Sequence, residues 1–351
     1  MERLRNLNAG LGQYCLHLGR ALTKMSATQD IHLAYYLPES KTGLFGASEE
    51  YKQVSKWHKT SRVNVVADLW HCMHQDSEYY PKRKDMPVVL TIHDLNFLER
   101  ADYSRWRKFV KLQRLQRKIN RMKGLVYISS YVKSVVHGHL EIPGTVMETV
   151  IYNGVAVENQ TEMTKPKTKT PYLFSIGLHP KKNYAAALVL LKYNPDLQWI
   201  IAGEDSKDYM TILQKKALEL GVSDRLSFTG LVEESEKWTL YQNCTAFIFP
   251  SLSEGFGLPV LEAMSYGKPV FLSIKTSLPE IGGKEAYYFQ NFEAEHICEV
   301  FEKGMQEFNN DSTKSERLKQ YAAGFQWERA AKEYCAFYHE VLNNNSQKLV
   351  N

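Results

Sequence analysis

Pro250-Ser-Leu-Ser-Glu254-Gly-Phe-Gly-Leu-Pro-Val-Leu-Glu262-Ala-Met264 is the stretch that decides how this chain is read. The apolar run before it, Thr245-Ala-Phe-Ile-Phe249, predicts a short buried strand. Gly255 and Gly257 predict a turn, and Pro259 suits the first turn of a helix, where its missing N–H is not needed. Strand, glycine turn and helix N-terminus together predict an anion site, because backbone N–H groups converge there and the helix dipole favours negative charge. Gly255, Phe256, Gly257 and Leu258 are its candidate contacts. Two carboxylates beside an anion site call for a ligand carrying hydroxyls as well as phosphate, such as a nucleotide-sugar. Glu262 falls about one turn into the helix and is expected to accept hydrogen bonds from a ribose. Glu254, in the loop, is expected to meet the sugar.

Length and composition fit that ligand class. A chain of 351 residues predicts two domains rather than one core. With 44% apolar and 24% charged residues it reads as globular and soluble. No uninterrupted apolar run is long enough to cross a bilayer. The start, Met1-Glu-Arg-Leu-Arg5, lacks the apolar centre of a signal peptide. Cys15, Cys72, Cys244, Cys298 and Cys335 are scattered and odd in number, which favours reduced thiols and a cytoplasmic location.

Charge is unevenly spread. Residues 1–160 hold 23 Lys and Arg against 15 Asp and Glu, and the remainder of the chain is slightly acidic. Ten of those bases lie in 100–123, with Asp102 the one acid among them. Trp106, Phe109, Leu112, Leu115, Ile119 and Met122 recur there at helical spacing. A basic amphipathic helix fits either an anionic membrane surface, on the inner face of the membrane, or a core-packed helix with a solvated basic side. Nucleic acid is not expected as a partner, since no recognition motif accompanies the charge.

Strand and helix patterns alternate along the chain. Strands are predicted at 31–36, 63–70, 88–92, 125–128, 149–152, 172–176, 198–202, 226–228, 245–249, 269–272 and 286–289. Helices are predicted at 12–24, 130–139, 184–192, 209–220, 233–243, 295–307 and 327–342. The alternation implies an α/β protein with mostly parallel sheets, built as two doubly wound domains binding ligand at strand carboxyl ends in a cleft. The first domain is expected over 1–159, a Lys/Thr/Pro-rich linker over 160–171 and a nucleotide-sugar-binding domain over 172–324. A final helix is expected over 325–345. The glycine turn at Gly10-Leu-Gly12 has no apolar strand before it, so the first domain is expected to lack its leading strand through a truncated start.

The chain resembles the retaining glycosyltransferases of the GT-B fold in glycosyltransferase family 4. The resemblance rests on Glu254 and Glu262 with the intervening Gly-Phe-Gly-Leu-Pro. It extends in order through Gly10-Leu-Gly12-Gln-Tyr14, Thr91-Ile-His93-Asp94-Leu95, Ser129-Ser130, Ile151-Tyr-Asn153-Gly154-Val155, Lys181-Lys182-Asn183, Ser277-Leu-Pro-Glu280 and Phe325-Gln-Trp327. It implies two Rossmann-like domains facing across a cleft, with the last helix crossing back to the first domain.

The same resemblance assigns roles. Read alone, Lys181 and Lys182 are either solvated loop lysines or the fixed charge of the anion site; the resemblance makes Lys182 the pyrophosphate-binding lysine. The family usually carries an Arg shortly before it, where this chain has Gly177 and Leu178, and Lys181 is expected to compensate. His93, alone either a structural histidine or a ligand contact, is placed against a donor-sugar hydroxyl. Gly12 is either an ordinary turn glycine or the point where backbone approaches the donor phosphate. No metal and no cofactor are expected at the catalytic centre. His71-Cys72-Met73-His74 carries metal-ligand types, but strand alternation would split the two histidines between faces. The implied activity is retaining transfer of a hexose, preferably mannose, from a GDP- or UDP-sugar to a glycan or lipid-linked acceptor in polysaccharide biosynthesis. The alternatives are a nucleotide-sugar epimerase of the same fold and a nucleotide-sugar-binding protein with impaired catalysis.

Overall fold

Continuous apolar runs bounded by polar residues become the central strands, because both faces of a parallel sheet are covered by helices. The computed structural model describes the chain except Asn8, Ala27, Gln29, Asp30, Ala101, 157–169, Asp205, Asn351 and the side chains of 346–350. It divides into two units, Met1–Gly154 with Gln326–Asn351, and Val155–Phe325. Of the expected linker over 160–171, all but Thr170 and Pro171 lies outside the described residues.

The first unit runs through α1 (Gly10–Ser26), β1 (Ala34–Leu37), β2 (Glu50–Gln53), α2 (His58–Ser61), β3 (Trp70–Cys72), β4 (Val88–Ile92), α3 (Arg105–Ile119), β5 (Gly124–Tyr127), α4 (Ser130–His139) and β6 (Met147–Val150). β1 and β2 form one parallel pair, and β3-β4-β5-β6 form a parallel sheet with β4 wholly buried. A cavity of about 520 Å³ is lined by residues of both β1 and β3. Ahead of α1 the chain makes a 3-10 turn at Glu2–Arg5.

The second unit runs through β7 (Tyr172–Ile176), α5 (Tyr184–Ala187), α6 (Val189–Tyr193), β8 (Gln198–Ala202), α7 (Lys207–Leu220), β9 (Leu226–Gly230), α8 (Glu234–Asn243), β10 (Ala246–Phe249), α9 (Leu258–Ser265), β11 (Val270–Ser273), α10 (Leu278–Gly282), β12 (Tyr287–Phe289), α11 (Ala294–Asn310) and α12 (Lys314–Ala323). Its parallel sheet has the order β12-β11-β10-β7-β8-β9. That is the dinucleotide-binding order, two mononucleotide-type halves meeting at β7 and β10. Phe174, Phe247, Ile248 and Phe271 are fully buried in it.

The last helix, α13 (Trp327–Val350), belongs to the first unit and packs on α1. Tyr14 of α1 and Tyr334 of α13 share a hydroxyl contact of 2.6 Å, and the Tyr334 hydroxyl lies 3.1 Å from that of Thr91. Three buried hydroxyls thereby satisfy one another, as a buried polar cluster must.

Several expectations change. The strand expected over 63–70 does not form there: β3 (Trp70–Cys72) starts at its last residue, and Val63 makes an isolated bridge to Pro81. The helix expected over 184–192 divides at Leu188 into α5 and α6. The basic helix is shorter than 100–123, and its apolar stripe splits. Leu115, Ile119 and Met122 are buried, whereas Trp106 and Phe109 at the other end are exposed and lie ring to ring at 5.7 Å. All five cysteines are free thiols.

Candidate active site

The sheet order of the second unit fixes where a site forms. β8 and β9 lie on one side of β7, and β10, β11 and β12 on the other, so the connections leaving β7 and β10 depart to opposite faces. The crevice at their carboxyl ends is the place where open α/β sheets bind ligands. After β7 the chain forms a 3-10 turn at Pro180–Lys182, closed by Asn183 in the left-handed conformation. After β10 it forms the loop that enters α9, whose capping residue Gly257 has φ +113°. A side chain is strained at that φ, so the glycine is what lets the loop turn directly into the helix.

The two loops are tied together. The Leu252 N–H donates to the Lys181 carbonyl at 2.7 Å, and the Ser251 hydroxyl reaches the same carbonyl at 3.2 Å. This brings Lys182 Nζ to 2.8 Å from Glu254 Oε1 and Lys181 Nζ to 3.8 Å from Oε2. The Ser251 hydroxyl also donates to Glu254 Oε1 at 2.7 Å. The loop backbone is held from the other side: Glu254 N–H donates to Thr276 Oγ1, and the Ser277 hydroxyl reaches the carbonyls of Glu254 and Phe256. Phe256 turns its ring into the core against Phe325. Lys182 Nζ also stands 4.2 Å from the centre of the Phe249 ring.

Burial would raise the pKa of Glu254, but the ammonium groups of Lys182 and Lys181 and the hydrogen bonds from Lys182 and Ser251 outweigh it. The carboxyl is therefore held below its ordinary value and is ionised at neutral pH. Burial lowers the pKa of Lys182, and attraction to Glu254 opposes that shift. One carboxylate against two ammonium groups leaves a positive excess beside the N-terminus of α9. A positive excess at a helix N-terminus favours an anion.

Glu262, the other glutamate of the motif, lies on α9 and is met by α8. The Tyr241 hydroxyl donates to Glu262 Oε2 at 2.7 Å, and Lys237 Nζ lies 3.3 Å from Oε1. Sequence reasoning missed Lys237, Tyr241, Ser251 and Thr276. No spacing rule links α8 to α9, so only the fold shows the pairing of Lys237 and Tyr241 with Glu262. Thr276 is brought to the Glu254 N–H by the loop after β11, and Ser251, three residues before Glu254, is the one local contact.

The remaining expected residues, His93 and Gly12, lie in the first unit. His93 follows β4 and is buried; its Nε2–H donates to the Met73 carbonyl at 2.8 Å. Because a carbonyl only accepts, Nε2 carries the proton and Nδ1 is left as an acceptor. Burial pulls its pKa down to about 3, so the ring is neutral. Asp94 caps the following turn through the Asn96 N–H. Gly12, in the first turn of α1, lies against the Asn6 carbonyl, leaving no room for a Cβ. His71 bonds to Thr91 and Tyr338, whereas His74 pairs with Glu2, so the two histidines do not converge.

Comparison with known proteins supplies the family. The glycosyl transferases group 1 model matches residues 157–325, and the Glycosyltransferase Family 4 model matches 31–159. The O-antigen chain mannosyltransferase RfbU of Salmonella typhimurium is 28% identical over 293 residues, covering 78% of this chain and 80% of RfbU. The serotype-specific mannosyltransferase WbdA of Escherichia coli is 33% identical over 180 residues, 48% of this chain but only 22% of WbdA. The structure of Anabaena Alr3699/HepE in complex with UDP and glucose superposes with a TM-score of 0.71 at 14% identity, covering 95% of this chain and 96% of that one. At that identity the likeness concerns the fold. The chain belongs to the GT-B glycosyltransferases of family 4.

Proposed function

We propose that the protein is a retaining hexosyltransferase of polysaccharide biosynthesis that moves mannose from GDP-mannose to a glycan or lipid-linked acceptor. The observation that carries the reading is the Glu254 carboxylate held between Lys181 and Lys182 at the β7–β10 crevice. Mannose rests on two relatives that are themselves mannosyltransferases, RfbU and WbdA; GDP as the carrier is part of the proposal. The Anabaena structure that holds UDP makes a UDP-hexose the second donor to test.

In the reaction the anomeric C–O bond of the donor breaks and the nucleoside diphosphate leaves with the electron pair. The acceptor oxygen bonds to the same face of that carbon, and its proton passes to the departing phosphate. Charge therefore grows on the pyrophosphate, where Lys182, Lys181 and the backbone around Gly255, Phe256, Gly257 and Leu258 are assigned to stabilise it. Two ammonium groups there take the part a metal ion plays elsewhere, so the proposal needs no metal and no cofactor. Glu254 is assigned to the sugar hydroxyls and Glu262 to the ribose. His93 is assigned to a sugar hydroxyl that donates to Nδ1, and Gly12 to close backbone approach at a phosphate.

A panel of GDP- and UDP-sugars with glycan and lipid-linked acceptors tests the reading. The expected result is release of nucleoside diphosphate with the sugar on the acceptor in its original anomeric configuration, and loss of that turnover in Glu254→Ala. Epimerised donor without acceptor, or donor binding without any turnover, would overturn it.

The basic helix α3 is proposed to rest on an anionic membrane surface at the cytoplasmic face. Trp106 is 71% exposed and Phe109 49%, and Arg105, Arg107, Lys108 and Lys111 flank them along the chain. Apolar rings among bases are the composition that seats a helix at a lipid headgroup boundary. Among the described residues no helix is long and apolar enough to cross a membrane. Sedimentation with vesicles containing phosphatidylglycerol should fall about tenfold for the double variant Trp106→Ser with Phe109→Ser. Equal binding of the variant and the parent, or equal binding to neutral vesicles, removes the membrane from the proposal.

A further inference from the structure

The second glutamate of the motif is held by a neighbouring helix. Lys237 and Tyr241 stand four residues apart on α8, which places them on one face of it. Both reach Glu262 on α9, the ammonium to Oε1 at 3.3 Å and the hydroxyl to Oε2 at 2.7 Å. Lys237 is itself fixed twice more, by Glu234 at 3.0 Å and by the Trp238 ring, whose centre is 4.0 Å from Nζ. Only 12% of the Lys237 side chain and 16% of the Glu262 side chain are exposed, and Tyr241 is fully buried. Burial pulls the Lys237 ammonium down, but Glu262 and Glu234 outweigh it and hold it above its ordinary value.

Two consequences follow from this geometry. A carboxylate bonded at both oxygens cannot rotate freely, yet each oxygen keeps a further lone pair. An unpaired carboxylate next to a diphosphate site would also repel the ligand, and a neighbouring ammonium cancels that charge. We propose that Lys237 and Tyr241 are positioning residues that set the plane of Glu262 so that its remaining lone pairs accept from the ribose hydroxyls. Lys237 has a second effect, removing the charge penalty Glu262 would impose on the diphosphate. The inference rests on the assignment of Glu262 to the ribose.

An ordinary structural ion pair would stabilise the fold without affecting recognition of the ribose. The discriminating experiment is calorimetric titration of the full chain with GDP and with 2′-deoxy- and 3′-deoxy-GDP, repeated with the UDP series. The parent should bind the ribonucleotide about tenfold more tightly than a deoxy form, as expected for hydrogen bonds to a charged acceptor. In Lys237→Met and in Tyr241→Phe that ratio should fall to about threefold or less, and Lys237→Arg should restore most of it. A parent that binds all forms equally overturns the ribose assignment and the inference with it. A parent that discriminates while Lys237→Met keeps the full ratio overturns the positioning role alone. Equal weakening of every nucleotide in Lys237→Met, with the ratio unchanged, overturns the positioning role and leaves the charge effect alone.

Discussion

Lys182→Ala is expected to lower turnover with a nucleotide-sugar donor by about a thousandfold, the scale of removing a fixed donor from developing charge in a transition state. The loss should appear in kcat more than in KM, because charge on the leaving pyrophosphate is larger in the transition state than in the bound donor. The substitution acts on Glu254 as well. With its nearest ammonium gone, Glu254 keeps the burial that raises its pKa and loses the largest influence that lowers it. A carboxyl with a depressed folded-state pKa contributes stability above its unfolded pKa and loses it as pH falls through the folded value. In Lys182→Ala the depression shrinks, so that contribution shrinks and the acid limb of activity moves to higher pH. Breaking a buried pair from one side commonly costs about 3–5 kcal/mol, because the other charge stays buried and unpaired. The double variant Lys182→Ala with Glu254→Ala should therefore be more stable than the sum of the single losses predicts. Pre-steady-state rates and thermal unfolding against pH measure both effects. A loss in kcat below about threefold would remove Lys182 from the transition state.

Segments whose local chemistry points one way were legible in the sequence. Val88–Ile92 and Tyr172–Ile176 form strands with the bounds read from their apolar runs, and Ser130–His139 is a helix whose Ser129 caps the Val132 N–H. The motif around Glu254 was legible because strand, glycine turn and Pro-initiated helix are all local signals. What stayed hidden depends on partners distant in sequence. β2 is Glu-Tyr-Lys-Gln, half exposed, and is a strand only because β1 pairs with it. The apolar spacing of α3 runs on past the point where core contact stops, so periodicity alone placed Trp106 with Ile119. Nor does any spacing reveal that Lys182 and Glu254 touch, since they lie 72 positions apart and meet through the order of strands β7 and β10.

Gly12→Val should destabilise the first unit by several kcal/mol, on the order of 10 °C in its unfolding midpoint. A Cβ at Gly12 would overlap the Asn6 carbonyl oxygen and lie 2.9 Å from the Asn6 carbonyl carbon and 3.1 Å from Leu7 Cα. All three atoms are backbone, so no side chain can swing aside to make room. The segment they belong to is anchored in turn: Gln13 Nε2 donates to the Leu7 carbonyl at 2.7 Å, and the Gly12 N–H donates to the Ala9 carbonyl at 2.8 Å. Relief would require α1 to move from Asn6, yet Tyr14 fixes α1 through its hydroxyl to Tyr334 and its ring to His93, 4.5 Å between centres. The position is therefore occupied by the chain's own backbone, which gives the glycine a reason independent of any ligand. Calorimetry separates the two reasons. If Gly12 serves only the approach of a donor phosphate, Gly12→Val unfolds at the parental temperature and loses nucleotide affinity. If crowding against Asn6 and Leu7 governs, the midpoint falls by the expected amount. Gly12→Ala, with the smallest added group, should then fall between the parent and the valine variant.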